Sequence, residues 1–272
     1  MKNVKLQHFR DAMKDFSEDF ILIGGNACSL LFDSIGVEFR ETADLDVVLV
    51  IEKWSYEFSE ALDQYISEFG YTGRRFIRGD VTGESHVHRF SINSSHPKFN
   101  EIPSEIELFS RCPDGINLKA NQHLVPIDAG DGVSNFSAIL FDDDYYAYLN
   151  ANTITIEGIR IPHKKCLIAL KASAWVNNKE LFQQGILKEK DIGTVHKHAF
   201  DICRLFAIYD DIDFAPSEIP TRIFKDIELA KHLFLDAKEV SVLDQFLATT
   251  TSDELPTSYS DAAEYLDLTF TV

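Results

Sequence analysis

Apolar positions change spacing several times along the chain, and each change predicts an element. Val4, Phe9, Met13 and Phe16 fall at near-helical spacing and predict a leading amphipathic helix. Residues 20–23 (FILI) form a short continuous apolar run, the mark of a strand. Beyond Gly24-Gly25, Ala27, Leu30 and Leu31 return to helical spacing over 26–32, a short helix that would pack on that strand. Residues 33–43 read as a loop with one glycine. Residues 45–51 are near-continuously apolar, as in a strand covered on both faces. Trp54, Phe58, Leu62, Tyr65, Ile66 and Phe69 lie on one stripe over 54–69, a helix that Gly70 ends. Strands are predicted over 74–77 and 87–92, around a turn region with Gly79 and Gly83, and over 102–109, where EIELF alternates.

Glycine and proline punctuate 111–132 (Pro113, Gly115, Pro126, Gly130, Gly132), which predicts loops and short strands. An apolar run at 136–140 leads into Asp142-Asp143-Asp144 and a helical segment over 145–149. TITIEGIRI, 153–161, reads as a hairpin around Gly158. After Pro162 the pattern turns helical, over 164–176, 191–209 and in pieces from 218 to 247. Neither internal repeats nor low-complexity segments are present. The expected architecture is α+β: a mixed β-sheet with flanking helices in residues 1–160, then a helical domain in 161–272.

Composition narrows the function classes. At 272 residues, 45% hydrophobic and 12% aromatic, the chain supports an ordinary core. A net charge of −18 argues against broad DNA or RNA binding, which depends on neutralising phosphates. Cys28, Cys112, Cys166 and Cys203 lie far apart in apolar contexts, without metal-ligand spacing, and read as buried free thiols. The first residues lack an apolar core of signal-peptide length, and no run approaches the roughly 18 residues of a membrane span. A reducing cytoplasm is the expected location.

The chemistry concentrates between 21 and 51. Asp44 and Asp46, at i and i+2 on a strand, point to the same face. Two adjacent carboxylates repel unless a cation sits between them. The alternative for the pair is a solvated strand end. The Gly24-Gly25 turn offers backbone N–H groups at a helix start, where phosphates bind. Carboxylates for Mg²⁺ beside a phosphate cradle suit phosphoryl or nucleotidyl transfer. Arg40 is either a surface loop cation, a group that orders the loop, or a forked phosphate contact. Thr42 would hydrogen-bond the loop backbone or a phosphate.

GGNA, then R-x-T-x-D-L-D opening an apolar strand, resembles the nucleotidyltransferase superfamily with a DNA polymerase beta-like catalytic fold. The resemblance implies that Gly24, Gly25 and Asn26, with Arg40 and Thr42, hold a nucleoside triphosphate. It implies that Asp44 and Asp46 bind Mg²⁺ and that a later strand supplies a third acid. IPSEIELFS offers Glu105 and Glu107 on one strand face. Glu107, followed by Leu108-Phe109, is favoured, although the superfamily often has Asp there. Two ions roughly 3.5–4 Å apart would clamp an in-line displacement. Glu107 would complete the ion at the acceptor hydroxyl or take its proton.

Between 160 and 205 there are nine cations and four acids, a basic segment in an acidic chain, and a triphosphate site needs such a contrast. Lys171 interrupts an apolar helix (LIALKASAW), where it is costly unless its head reaches water or an anion. Asp201 in KHAFDICRLF is an acid in a similar setting, with Arg204 three residues on. That pair reads either as an intrahelical salt bridge or as an acid that orients Lys171 or the base-binding site. The L-K-x-x-A-W and K-H-x-x-D-I-x-R-L runs, with SAILFDDDYYAYL before them, resemble the bacterial AbiEii/AbiGii abortive-infection toxin family. In that family a lysine and an aspartate at these positions serve the nucleotide site, matching Lys171 and Asp201. Its members transfer nucleotides, in studied cases to tRNA ends, and are paired with a cognate antitoxin. The expectation is a Mg²⁺-dependent transfer of NMP from an NTP to a hydroxyl on tRNA or protein, with the helical half closing over the nucleotide. Competing expectations are a catalytically weak nucleotide- or partner-binding module of a defence system, and an aminoglycoside-type small-molecule nucleotidyltransferase. His86 and His88 alternate on a strand, and His196 and His198 stand at the mouth of a helix, without the further ligands that zinc requires.

Overall fold

A computed structural model of the chain describes residues 4–40, 42, 44–75, 87–114, 124–127, 136–208, 219–250 and 254–270. The predicted strand end at Ile77, the turn glycines Gly79 and Gly83, His86, the glycines Gly115, Gly130 and Gly132, and Tyr209 lie outside the described residues. The chain is α+β, with a mixed sheet and a helical C-terminal part. It divides into two compact units, Met1–Pro162 and His163–Val272.

The first unit opens with α1 (Val4–Ala12), a 3₁₀ turn (Lys14–Phe16), β1 (Phe20–Ile23), α2 (Gly24–Ser34), β2 (Asp44–Leu49) and α3 (Tyr56–Glu68). It continues with β3 (Thr72–Arg75), β4 (Val87–Ser91), β5 (Glu105–Ser110), β6 (Leu124–Ile127) and β7 (Phe136–Leu140). Helix α4 (Asp143–Ala151) and the hairpin β8 (Thr153–Ile156) and β9 (Ile159–Pro162) complete it. Among the described residues, seven strands form one mixed sheet with neighbours in the order β1-β2-β5-β4-β7-β6; β3 pairs with β4, and β5 also meets β7. β1 and β2 are antiparallel, whereas β2 and β5 are parallel. Leu45, Val47, Ile106 and Leu108 on alternate positions of β2 and β5 are fully buried, so one face of these strands belongs to the core. Phe9, Phe20, Phe58 and Tyr65 join α1, β1 and α3 through edge and stacked ring contacts. Each such fully buried side chain contributes on the order of 1.5–3 kcal/mol.

Local chemistry sets several boundaries differently from the hydrophobic pattern. Trp54 precedes α3 because the Ser55 hydroxyl caps the helix, accepting from the Phe58 N–H at 3.1 Å. The acidic triplet is not a flank of α4 but its start: Asp142 Oδ1 accepts from the N–H groups of Asp144 and Tyr145 at 3.1 and 3.3 Å. Asp143 and Asp144 then occupy the first turn, where negative charge favours a helix. The predicted hairpin turns on Glu157 and Gly158, both with positive φ, 50° and 82°.

The second unit holds α5 (Lys164–Gln183), a 3₁₀ turn (Glu189–Asp191), α6 (Ile192–Ala207), α7 (Thr221–Leu235), α8 (Ala237–Thr250) and α9 (Tyr259–Phe270). Helix α5 runs seven residues past the predicted end at Val176. Polar groups in that extension find partners on other helices: Lys179 bonds Glu239, and Asn178 donates to the Thr194 carbonyl at 3.1 Å. Helix α9 was not predicted; it buries Ala262, Ala263, Leu266 and Phe270. Trp175 packs on Phe234 at 4.6 Å between ring centres, and Phe234 stacks on Tyr259. His196 is not at a helix mouth; it is the fifth residue of α6 and is buried. Cys28, Cys166 and Cys203 are buried free thiols, while Cys112 is half-buried. Among the described residues, no helix is long and apolar enough to cross a membrane.

Candidate functional site

The site grows from the turn between β1 and α2. Gly24 is the first residue of α2 and has φ +70°, a left-handed conformation open to glycine and strained for other residues. A Cβ on Gly24 would collide with the Asp46 carboxylate and come within 3.0 Å of its Cγ. A Cβ on Gly25 would strike the Thr42 side chain, 2.7 Å from its Cγ2. The two glycines are therefore the floor on which Asp46 and Thr42 rest. Asn26, buried, donates its side-chain N–H to the Asp44 carbonyl and holds the start of β2 against α2. Arg40 Nη1 donates to Thr42 Oγ1 at 3.4 Å and lies over the Phe39 ring, whose own contact is Phe32 of α2. The Arg40–Thr42 contact joins two residues of the same loop.

Sheet register supplies the rest. Asp44 pairs with Glu105 and Asp46 with Glu107 across the parallel β2–β5 ladder. Arg89 of β4 pairs with Glu107, and Ser91 with Glu105. Side chains alternate along strands, so Asp44, Asp46, Glu105, Glu107 and Arg89 share the face opposite the buried Leu45, Val47, Ile106 and Leu108. Arg89 donates to Glu107 Oε1 through Nε at 2.9 Å and through Nη2, and its Nε stands 3.4 Å from Glu105 Oε1. Burial works against the Arg89 guanidinium, but the hydrogen bonds and charge of Glu107, with the charges of Glu105 and Asp44, outweigh it and raise its pKa. Burial lowers the pKa of neighbouring His88, with Glu107 opposing and Arg89 assisting. The sequence reading missed Arg89. Its place on the polar alternation of 87–92 was visible, but its partner strand was not.

Both Glu105 and Glu107 lie beside the aspartates, and Glu107 is the one bonded twice to Arg89. Among the described residues, no three His, Cys, Asp or Glu side chains stand close enough to hold a metal ion by themselves. Mg²⁺ commonly takes one or two carboxylates and fills its shell with water and substrate phosphate oxygens. Asp44 and Asp46, oxygen donors beside a glycine cradle that a Cβ would fill, fit that pattern. Glu107 fits it as a third ligand through Oε1 only if Arg89 releases that oxygen.

Within the helical unit, Lys171 Nζ donates to Asp201 Oδ2 at 2.9 Å. Both are buried, and Arg204 Nη1 stands 3.6 Å from Asp201 Oδ1. Asp201 thus meets both Arg204 within α6 and Lys171 of α5. Other cations of the basic segment are also engaged. Lys164 donates to the Ile208 carbonyl at 3.0 Å, Lys179 pairs with Glu239, and Arg160 reaches Asn150 at 3.0 Å. Less positive charge is free than the residue count implies. A cavity of about 290 Å³ in this unit, with Lys179, Glu180, His232 and Asp236 in its wall, contains none of the predicted site residues.

A second charged knot lies beyond β2 and β5. Arg111 donates to Glu52 at 2.8 Å and to Asp114 at 3.0 Å, and the Tyr146 hydroxyl donates to Glu52 at 2.6 Å. Burial pushes the Glu52 carboxyl up, but these hydrogen bonds prevail and lower it. This knot ties α4 to the sheet. No known family model matches the chain, and no curated protein matches it significantly.

Proposed function

We propose that the chain is a Mg²⁺-dependent nucleotidyltransferase that moves NMP from an NTP to a hydroxyl acceptor and releases pyrophosphate, with a polymerase beta-like catalytic domain in its first unit. The observation that carries this reading is the contact of Asp46 with Gly24: a cation-binding carboxylate rests on the first turn of a helix whose N-terminus favours phosphate. Gly24 and Gly25 bind the triphosphate through backbone N–H groups. Asp44 and Asp46 hold the metal, which when bound offsets charge on the phosphates and orients them. Asn26, Arg40 and Thr42 keep β2 and its preceding loop against that turn. Glu107, next to Asp46 in register, is the group to accept the proton of the attacking hydroxyl. Lys171 and Asp201 act as a pair on α5 and α6, with Asp201 orienting the lysine. The resemblance to AbiEii/AbiGii toxins supports a bacterial toxin that modifies tRNA ends or a protein and is held in check by an antitoxin.

The test incubates the full chain with each α-³²P-labelled NTP, Mg²⁺ and total tRNA or cell lysate. Label transfer that disappears in a folded Asp44→Asn variant supports the proposal. Absence of transfer together with absence of NTP binding by calorimetry overturns it. The Arg89–Glu107 bond favours a second reading, a nucleotide-binding module with weak catalysis. NTP binding without transfer to any acceptor distinguishes that module from the enzyme.

A further inference from the structure

We propose that Arg89 is a built-in counter-cation that competes with a metal ion for Glu107 and thereby sets the divalent-cation affinity of the site. This rests on the assignment of Asp44 and Asp46 as metal-binding carboxylates. Four carboxylates from β2 and β5 occupy one sheet face in two register rows, Asp44 beside Glu105 and Asp46 beside Glu107. The described cation on that face is Arg89, which continues the second row on β4. Its two hydrogen bonds converge on one oxygen, Glu107 Oε1, and its Nε also reaches to 3.4 Å from Glu105. Glu107 is only 12% exposed, so its charge is poorly screened by water and gains most from a fixed partner.

A guanidinium does not lose its proton in a protein, so it yields Glu107 only by moving. A cation that takes Glu107 through Oε1 must therefore break both hydrogen bonds, and one that takes it through Oε2 must tolerate the positive charge of Arg89 on the same carboxylate. The hydrogen bonds of Arg89 above go to Glu107, while Asp44 acts on it through charge. Arg89 thus opposes a cation at Glu107 more directly than one at the aspartates. Displacement of Arg89, for example toward the phosphates of a bound nucleotide, would free Glu107 for a cation only when substrate is present. Such a device would keep metal and nucleotide binding coupled.

The experiment titrates the metal-stripped full chain with Mn²⁺ alone and reads free Mn²⁺ by electron paramagnetic resonance. Arg89→Gln is expected to bind Mn²⁺ about tenfold or more tighter than wild type, or to take an additional ion. Arg89→Lys, which keeps the charge, is expected within about threefold of wild type. Glu107→Gln is expected to match wild type, and Arg89→Gln in that background to add less than about threefold. Equal affinity of folded Arg89→Gln and wild type overturns the role of Arg89 and leaves the aspartate site standing. A tenfold loss in Glu107→Gln also overturns it, because Glu107 would then be a ligand with Arg89 in place; this arm decides the matter if Arg89→Gln fails to fold. No Mn²⁺ binding by either protein at millimolar concentration overturns the metal assignment itself.

Discussion

A single methyl group measures how tightly the glycine turn is built. Gly24→Ala must hold φ near +70° and displace the Asp46 carboxylate. Strain of this kind costs roughly 1–3 kcal/mol before any loss of contacts. Gly25→Ala meets a different obstacle, the Thr42 side chain, and that obstacle can be removed. Thr42→Ala deletes the two nearest atoms, leaving Thr42 Cβ at 3.1 Å. The double variant Gly25→Ala/Thr42→Ala is therefore expected to be less destabilised than the sum of the singles, by about 0.5–2 kcal/mol in urea unfolding. Additive effects would show that Thr42 does not press on the turn. The glycines themselves were legible as a turn before a helix, since glycine punctuation is local. The residues resting on them were not, because Thr42 and Asp46 return from 17 and 22 positions further along the chain.

At the scale of elements, the buried pair on α5 and α6 decides whether a charge in an apolar helix is structural, functional or both. Lys171→Met leaves Asp201 buried with only Arg204 of its two described cations. The expected cost is about 3–5 kcal/mol, toward the lower value because Arg204 remains. Lys171→Met/Asp201→Leu removes both buried charges and is expected to recover most of that loss, read as the urea midpoint. Recovery of stability without recovery of nucleotide transfer would separate a role in chemistry from one in packing. The helices and strands themselves were mostly visible in hydrophobic period. Their ends were not, because Ser55 and Asp142 set boundaries through side-chain hydrogen bonds rather than through hydrophobicity. Helix α9 escaped because two of its buried positions are alanines, which a pattern of large apolar residues underweights.

For the molecule as a whole, the titrating groups predict an acid-labile protein. His196 is buried, with neither ring nitrogen hydrogen-bonded among the described residues, and Phe246 packs against its ring. Burial lowers its pKa, Lys179 of α5 adds to that, and Glu239 of α8, 4.0 Å away, opposes it. His88 in the sheet is also lowered, mainly by burial. Both groups favour the folded state fully above the ordinary histidine value of about 6.5. As pH falls below that value the unfolded chain takes up protons first, so stability is lost until the lower folded pKa values are passed. His196→Phe is expected to shallow the drop in urea midpoint between pH 7.5 and 5.5; an unchanged slope would exclude His196 as a source. The sequence by itself determined the order of most elements before α9, the glycine turn and the shared face of Asp44 and Asp46, because spacing, φ preference and side-chain alternation are properties of a few neighbouring residues. Only the tertiary structure decided that β5 runs parallel beside β2, that Arg89 faces Glu107, and that Lys171 meets Asp201. Those contacts join residues 18 to 61 positions apart, and no local pattern states which strand or helix will pack against which.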